Sequence, residues 1–412
     1  MRAVGGTGAL GTGLRRPARS NVATALALIG ALILVAIPVA AVAVPPLGDY
    51  PGHLARIFIL HALLTTHDFD GVFQLAPAAV PNLAMDGIIL GFMSLGMSAE
   101  LAGRAFLVLQ LWVVGLGIVA LHAVNFKRLS VWPLLAFAFA YNEIFLWGFS
   151  NYLLGVGVAL LSFAGWLRLR NRTPNAAMAF FLAATLLLYF CHFIAMLFYV
   201  ALAISVEVAR ALGADRDRSS GRVLPFLGAV LAACVLIPAL IWHPPTSSTG
   251  AGDASAMAAP ALFAHISISE IWWRLHVLFN FASSYDGLVD AASIALVAAI
   301  VVFAWGAGRM AVRWDHAPAL LGLLLVYFLA PTRLWGTDYI AERLPVFVFA
   351  LVLAAIDVRF VARQGRALFV SVVAGLILVR LAIVTQHWLA FDRDYAPLVK
   401  AVESVDPKSR IY

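Results

Sequence analysis

Residues 22–44 read VATALALIGALILVAIPVAAVAV, and this uninterrupted apolar run decides the class of the protein. About 20 apolar residues are what a helix needs to cross the roughly 30 Å hydrocarbon core of a bilayer. The run is longer than the ~7–15 apolar residues of a secretory signal. Arg15, Arg16 and Arg19 precede it. We therefore interpret it as a retained first membrane helix with a cytoplasmic N-terminus.

The rest of the chain repeats this pattern. Of its 412 residues, 63% are hydrophobic and only 12% are charged, whereas soluble proteins average about 45–50% apolar and roughly 25% charged residues. This composition excludes a water-soluble enzyme, a disordered protein and a nucleic-acid-binding protein. Further apolar runs occupy 101–124, 129–147, 152–167, 176–189, 193–208, 223–242, 288–307, 317–330, 345–361 and 367–385. The sequence predicts an all-α, polytopic transmembrane helical bundle of about eleven spans, forming a single domain over residues 1–412.

Because the segment 82–97 is short, the chain can be threaded through the membrane in two ways, which we call the first and the second threading. If this segment crosses and 176–208 is one helix, the cations at 127–128 and 168–172 face outward. If it is re-entrant or interfacial and the 176–208 stretch breaks near His192, the basic loops all face the cytoplasm. The second threading obeys the positive-inside rule at every short loop. We therefore expect an integral protein of the bacterial inner (plasma) membrane with an extracytoplasmic C-terminus.

The second threading places on the outer side the segments whose carboxylates, histidines and arginines could take part in catalysis or ligand binding. The expected extracytoplasmic segments are the loops 45–81, 243–287 and 331–344 and the tail 386–412. They contain carboxylates, histidines and arginines, whereas the inward loops are short and basic. We therefore expect any chemistry at the extracytoplasmic face.

The first of these loops contains the sequence GDYPGHLARI at 48–57. Pro51 suits the first turn of a helix, and Asp49 or Tyr50 suits its cap. His53 and Arg56 are three residues apart and share a helix face. The pattern predicts an amphipathic extracytoplasmic helix whose start could deprotonate a hydroxyl beside a phosphate. The simpler alternative is a capping aspartate with cations that reach the membrane interface.

A second charged set occupies the loop before the penultimate span: Arg333, Asp338, Glu342 and Arg343. Charges between spanning helices are costly unless they pair or bind a ligand. Arginine forks suit phosphate oxygens, so these residues could clamp a lipid phosphate or instead pair with one another. His192, at a predicted helix break, could also reach a phosphate or could be a core histidine.

These features together resemble the GT-C superfamily of integral membrane glycosyltransferases, in an uncharacterised bacterial branch. The resemblance rests on a first membrane helix followed by an acidic outer loop, and on the Asp-x-Pro-x-His-x-Ala-Arg run at 49–56. It covers the first loop closely and the remaining chain as topology only. It implies that Asp49 is the general base on an acceptor hydroxyl and that the donor is a polyprenyl-phosphate sugar. Some members carry a second acidic residue or a metal, for which Asp68, Asp70 and Asp86 are possible counterparts.

The expected ligands follow from this resemblance and from the motifs that the sequence lacks. It has no Walker-type loop, no His-Glu-x-x-His and no Cys-x-x-Cys, and Asp49 with His53 gives two ligands where a catalytic zinc has three. We expect no cofactor, and the sequence does not support a divalent metal. The expected partners are a lipid-linked sugar donor, a hydroxyl acceptor (glycan, lipid or protein) and membrane lipids, with no nucleic acid. A transporter or flippase for an anionic lipid or solute, or a non-catalytic membrane subunit, is the alternative.

Overall fold

The computed structural model describes residues 19–75, 80–170, 172–212, 230, 268–329, 333–334 and 337–405. The helices of the first half are α1 (Arg19–Ala41), α2 (Tyr50–Thr65), α3 (Ala84–Ser94), α4 (Ala99–Phe126), α5 (Leu135–Ala138), α6 (Glu143–Leu146), α7 (Ser150–Leu169), α8 (Pro174–Cys191) and α9 (Phe193–Leu212). Those of the second half are α10 (Ile268–Val277), α11 (Gly287–Gly306), α12 (Ala317–Leu329), α13 (Ile340–Ala355) and α14 (Arg363–Glu403). Two small antiparallel ladders pair β1 (Met310–Val312) with β4 (Ile356–Val358), and β2 (Arg333–Leu334) with β3 (Thr337–Asp338).

Within these residues, seven helices are long and apolar enough to cross a membrane: α1, α4, α7, α8, α9, α11 and α14. This confirms the predicted class, a mostly helical integral membrane protein. The count of eleven spans stays a prediction. Three of the predicted spans, 129–147, 317–330 and 345–361, coincide with shorter helices, and 223–242 lies outside the described residues apart from Val230.

The centre of the bundle is the close packing of α4 against α7. A Cβ atom added to Gly157 would lie 2.6 Å from the backbone nitrogen of Val114, and one added to Gly117 would lie 2.8 Å from the carbonyl oxygen of Gly157. Gly155 brings α7 equally close to Ala195 of α9. Small residues allow this approach, which membrane helices need because lipid provides little hydrophobic drive for their association.

The predicted span 129–147 crosses the bundle in short pieces. A 3-10 turn at Trp132–Leu134 leads into α5 and then α6. Ser130 bonds to Asp357 at one end (3.0 Å), and at the other end the carbonyl of Trp147 accepts a hydrogen bond from the amide of Asp49 (2.9 Å). Residues 130–139 are buried throughout. Irregular backbone is tolerated at membrane depth only where protein encloses it, and this segment meets that condition.

The 176–208 stretch breaks where the second threading requires. Helix α8 ends at Cys191 and α9 begins at Phe193, so His192 alone makes the reversal. The two helices pack antiparallel, with the rings of Phe181 and Tyr199 stacked at 5.2 Å. Helix α3 has only 11 residues, which give a length of about 16 Å. That is too short to cross, so the 82–97 segment is not a complete span.

The basic loops gather at one end of the bundle, which we call the basic end. Arg128 binds Asp357 in β4, Arg313 donates to the carbonyl of Asn125, and the amide of Arg359 donates to the carbonyl of Arg309. The opposite end carries Asp49, Trp147, His192, Tyr339 and Arg343, and we call it the Asp49 end. This grouping is the one that the second threading predicts. From the positive-inside rule we expect the basic end to face the cytoplasm.

The predicted outer segments have more regular structure than loops. The 45–81 segment contains α2, and 331–344 contains the β2–β3 hairpin and the start of α13. Of 243–287, residues 243–267 lie outside the described part, and α10 follows. The segment 386–412 was predicted to be an extracytoplasmic tail, but helix α14 continues through it to Glu403. Its 41 residues give a length of about 60 Å.

The α4–α7 contact predicts that Gly157→Ala destabilises the bundle. The added methyl would press on the backbone of α4, which cannot move aside as a side chain can. Overpacking costs typically about 1–3 kcal/mol, and we expect a loss of that size in the free energy of unfolding, measured by thermal or denaturant unfolding in detergent. Gly375→Ala in α14 is the matched control because its Cβ meets open space. Equal stability of the two variants would contradict the proposed role of this contact.

Candidate functional site

Two backbone hydrogen bonds attach the segment before α2 to the segment before α7. The amides of Gly48 and Asp49 donate to the carbonyls of Leu146 and Trp147, each at 2.9 Å. Gly148 has a φ of +85°, and a Cβ there would lie 2.8 Å from the amide nitrogen of Asp49. Asp49 occupies the N-cap position as predicted, but its side chain makes no capping hydrogen bond. Its carboxylate is exposed and therefore accessible to a substrate.

Arg56 forms an ion pair with Asp86 of α3 at 2.6 Å. The Asp86 side chain is 10% exposed, but that of Arg56 is 52% exposed, so the guanidinium can still meet a ligand. Partial burial lowers the pKa of His53, and the charge of Arg56 lowers it further, whereas Asp49 and Asp86 act in the opposite direction. His53 is therefore neutral at pH 7. His53 thus interacts electrostatically with Asp49, Arg56 and Asp86, and the binding and catalytic roles of these residues stay predictions.

The structure also joins His192 to Arg343. A guanidinium Nη1 of Arg343 lies 2.8 Å from Nε2 of His192. Arginine can only donate, so the imidazole nitrogen accepts and the ring is neutral. The guanidinium also lies over the ring of Phe149, 4.2 Å from its centroid, and the hydroxyl of Tyr152 donates to the carbonyl of Arg343 at 2.7 Å. Arg343 is thus buried among aromatic rings, which is a poorer position for a phosphate clamp than the sequence suggested.

The β2–β3 hairpin places Arg333 directly opposite Asp338. The strand pairing therefore brings together the backbones of two residues of the predicted charged cluster. The side chains of both residues lie outside the described part of the structure.

Glu342, one residue before Arg343, lines a cavity of about 590 Å³ at the Asp49 end. We call it the aromatic cavity. Its walls combine four aromatic rings with carboxylate, imidazole and amide groups, contributed by Trp147, Trp273, Tyr285, Tyr339, Glu143, Glu342, His276 and Asn280. Glu143 interacts electrostatically with His276 and with Glu342. Such a mixture of apolar rings and a few polar groups is typical of small-molecule sites.

Sequence reasoning missed most of this cavity. In the sequence, Trp272 and Trp273 indicate only a helix at the membrane interface. Asn142, Glu143, Asn151 and Tyr152 follow one another at the ends of two predicted spans, where they could line a sugar pocket or simply close a short hairpin. His276 and Tyr285 carried no sequence signal, since the partners that surround them come from remote parts of the chain. An aromatic helix that also carries a histidine, as α10 does, is the pattern that could have indicated it.

Trp147 connects Asp49 with the aromatic cavity. Its carbonyl accepts the hydrogen bond from the Asp49 amide, while its indole lines the cavity and packs on Tyr339 at 5.1 Å. The sequence interpretation of a sugar-transfer site requires Asp49 and Arg343 to face one cavity. They lie at the same end of the bundle, but neither is among the residues that line the aromatic cavity. The neighbours Gly48 and Pro51 line a separate cavity of about 710 Å³.

The buried ionisable residues that the structure describes lie at the two ends of the bundle. Those at the Asp49 end are Asp86, His192, Arg274, Asp290, Glu342, Arg343 and Arg380, and those at the basic end are His122, Glu207, His316 and Asp357. Between them lies Gln110, which is buried but uncharged. The described interior thus offers no charged route across the bundle.

Arg380, an intramembrane charge in the sequence, is held by an ion pair rather than exposed to a ligand. Its Nη1 lies 2.6 Å from Oδ1 of Asp290, and its Nη2 donates to the carbonyl of Ala282 at 2.7 Å. Ser284 donates to Asp290 at 2.7 Å. This network fastens α14 to the start of α11.

Within the described ranges, no three His, Cys, Asp or Glu side chains lie close enough to hold a metal ion. Comparison of the chain with protein-family models, curated proteins and solved structures gave no match. The resemblance to the GT-C superfamily therefore stays a prediction that depends on the residues of the first loop.

The pKa of His53 provides a test of the Asp49–His53–Arg56–Asp86 grouping. Because folding lowers this pKa, the unfolded chain binds the proton more readily, and stability falls as the pH drops through the ordinary histidine value of about 6.5. Arg56→Gln removes one of the two causes, so we expect the pKa of His53 to rise. NMR titration of labelled histidine rings measures it. Arg393→Gln, exposed on α14, should leave it unchanged; an unaltered pKa in Arg56→Gln would contradict the grouping.

Replacing the carboxylate of the Arg380–Asp290 pair by an amide should strongly lower the stability of the protein. Asp290→Asn leaves a buried guanidinium without its counter-charge, which costs about 3–5 kcal/mol of unfolding free energy. Denaturant unfolding in detergent measures the loss. The double variant Asp290→Leu with Arg380→Met should recover most of it because no buried charge remains. A double variant as unstable as the single one would show that charge compensation is not the cause.

Proposed function

We propose that this protein is a membrane glycosyltransferase, which transfers a sugar from a polyprenyl-phosphate carrier to a hydroxyl acceptor at the extracytoplasmic face. The observation that carries the proposal is the contact at Trp147. The backbone amide of Asp49, whose carboxylate is exposed, donates a hydrogen bond to the carbonyl of Trp147, and the ring of Trp147 lines the aromatic cavity.

In the proposed reaction Asp49 accepts the proton of the acceptor hydroxyl. The hydroxyl oxygen forms a bond to the anomeric carbon, and the bond between that carbon and the carrier phosphate breaks. The polyprenyl phosphate leaves with the bonding electron pair. A positioned general base contributes about 10²–10⁴-fold to such a step. The phosphate already carries charge that nearby cations can stabilise, so no nucleotide is required.

The neighbouring residues have distinct proposed roles. Arg56, half-exposed beside Asp86, would bind the departing phosphate, with His53 as a neutral donor. Arg333 remains a candidate for the same phosphate. We assign Arg343 and His192 a positioning role, since their contact holds Phe149 in the loop that supports Asp49.

The aromatic cavity is the proposed sugar site. Sugar rings present apolar C–H faces that suit Trp147, Trp273 and Tyr339, and their hydroxyls suit carboxylate and amide partners such as Glu143 and Asn280. Glu342 would therefore contact the sugar rather than the phosphate, which alters the role that the sequence suggested for it.

The alternatives find less support. A transporter or flippase for an anionic substrate would need polar groups along its route, and the described interior lacks charges between the two ends. A non-catalytic subunit would not need an exposed carboxylate beside a cavity.

The proposal predicts that Asp49→Asn lowers sugar transfer by about 100-fold or more, in line with the loss of a general base. The assay supplies radiolabelled polyprenyl-phosphate hexoses to the purified protein in nanodiscs, with a bacterial envelope extract as acceptor, and follows the label from carrier to acceptor. Asp394→Asn is the control, because it makes the same change at an exposed site on α14. Unfolding temperatures check that both variants are folded.

Undiminished transfer by Asp49→Asn would remove Asp49 from the mechanism. Absence of transfer by the wild type, together with movement of the intact labelled lipid between the leaflets of proteoliposomes, would favour the transporter.

A further inference from the structure

The basic end contains a cavity of about 1030 Å³ that the proposed reaction does not use. It lies where α4, α7 and α9 end, and we call it the basic cavity. Among the described residues, six cations and a single carboxylate line it: Lys127, Arg128, Arg168, Arg172, Arg210 and Arg313, and Asp315. Its volume is at the upper end of the range for ligand sites, about 300–1,000 Å³.

Two of these cations already have acidic partners. Arg313 forms a fork with Asp315, with its Nε 3.1 Å from Oδ1. Arg128 binds Asp357 through its Nε at 3.0 Å, and Asp357 is not among the residues that line the cavity. The one carboxylate in the part of the wall that the structure describes is therefore already engaged.

Of the other four cations, Arg210 also interacts with other residues. The remaining three, Lys127, Arg168 and Arg172, have no acidic partner among the described residues. Arg168 and Arg172 are exposed. Cations at helix C-termini gain about 0.3–1 kcal/mol each from the helix dipole, which accounts for their presence at the ends of α4 and α7. It does not account for their convergence on one hollow, where like charges repel and an anion would relieve the repulsion.

Apart from Asn125, the rest of the described wall is apolar. Val124, Leu129, Leu167 and Val206 line the same cavity as the cations. A soluble anion needs only the charges, whereas a lipid has both an anionic phosphate and an apolar chain. Basic pockets between transmembrane helices bind the headgroups of acidic phospholipids in this way.

We propose that the basic cavity binds the phosphate headgroup of an anionic membrane lipid, with Lys127, Arg168 and Arg172 around the phosphate and the apolar wall against the start of the acyl chains. A headgroup with two phosphates, as in cardiolipin, matches the three cations best. This site lies at the other end of the bundle from Asp49 and is independent of the proposed sugar transfer.

The experiment uses the purified full-length protein in a neutral detergent and measures lipid binding by native mass spectrometry. The probes are cardiolipin, phosphatidylglycerol, phosphatidylcholine and inorganic pyrophosphate. We expect the affinity to fall in that order of lipids, with pyrophosphate at least tenfold weaker than cardiolipin, and we expect salt to weaken binding by screening the charges.

The test variant is Arg168→Gln with Arg172→Gln, which should weaken cardiolipin binding at least tenfold. The charge-matched control is Arg359→Gln with Arg363→Gln, two exposed arginines at the same end that do not line the cavity; its binding should stay within twofold of the wild type. The lysine variant, Arg168→Lys with Arg172→Lys, should retain most of the affinity because the phosphate contact is mainly electrostatic. Unfolding temperatures without lipid identify any variant that fails to fold.

Each other outcome overturns the proposal. Equal losses in the test and control variants would show that binding follows net charge rather than the cavity. Equal affinity for phosphatidylcholine would remove the anionic phosphate as the recognised group. Pyrophosphate binding as tight as that of cardiolipin, and lost in the test variant, would identify a site for a soluble phosphate instead of a lipid.

Discussion

The close approach of α4 and α7 is the contact on which the rest of the molecule depends. Gly117 and Gly157 allow the two backbones to meet without intervening side chains, and this compensates for the weak hydrophobic drive between helices in lipid. Helix α7 then supports structure at both of its ends. At its start the amide of Asn151 bonds to the backbone of Asn82 and Met85 and fixes α3, while at its end it presents Arg168 and Arg172 to the basic cavity.

The two ends use charge in different ways. At the Asp49 end, the charges of Asp86 and Asp290 are neutralised by partners from other helices. Buried ion pairs add little net stability, but breaking one is costly, so these pairs restrict how α2, α3, α11 and α14 can be arranged. At the basic end, several cations have no acidic partner among the described residues, and the apolar wall beside them is accessible. The ion pairs at the Asp49 end thus fix the arrangement of its helices. The cations at the basic end that have no acidic partner among the described residues can instead attract an anion.

The sequence predicted the features that depend on local patterns. Length of apolar runs predicted the spanning helices, Pro51 after Asp49 predicted the start of α2, and the distribution of arginines predicted which loops share an end. Those predictions succeed because the membrane imposes the same constraint on every segment, whatever its neighbours. The break at His192 was also found in this way, since only that break placed every basic loop on one side.

The sequence could not predict features that depend on contacts between distant segments. No local pattern indicates the partner of Arg380, because Asp290 precedes it by 90 residues. Arg343 looked available to a phosphate because Phe149 and His192, which enclose it, belong to other helices. Most of the aromatic cavity could not be predicted for the same reason. Its walls come from α6, α10, the turn before α11 and the start of α13, and no local sequence pattern indicates that these segments are in contact.

The length of helix α14 has a consequence for the Asp49 end. Its hydrogen-bonded backbone is about twice as long as a bilayer core is thick, so roughly 30 Å of it extends past the last apolar turns. This outer half of α14 brings Phe391, Tyr395 and Val399 to the cavity that Pro51 and Phe58 also line, so the position of the last span sets one wall beside the start of α2.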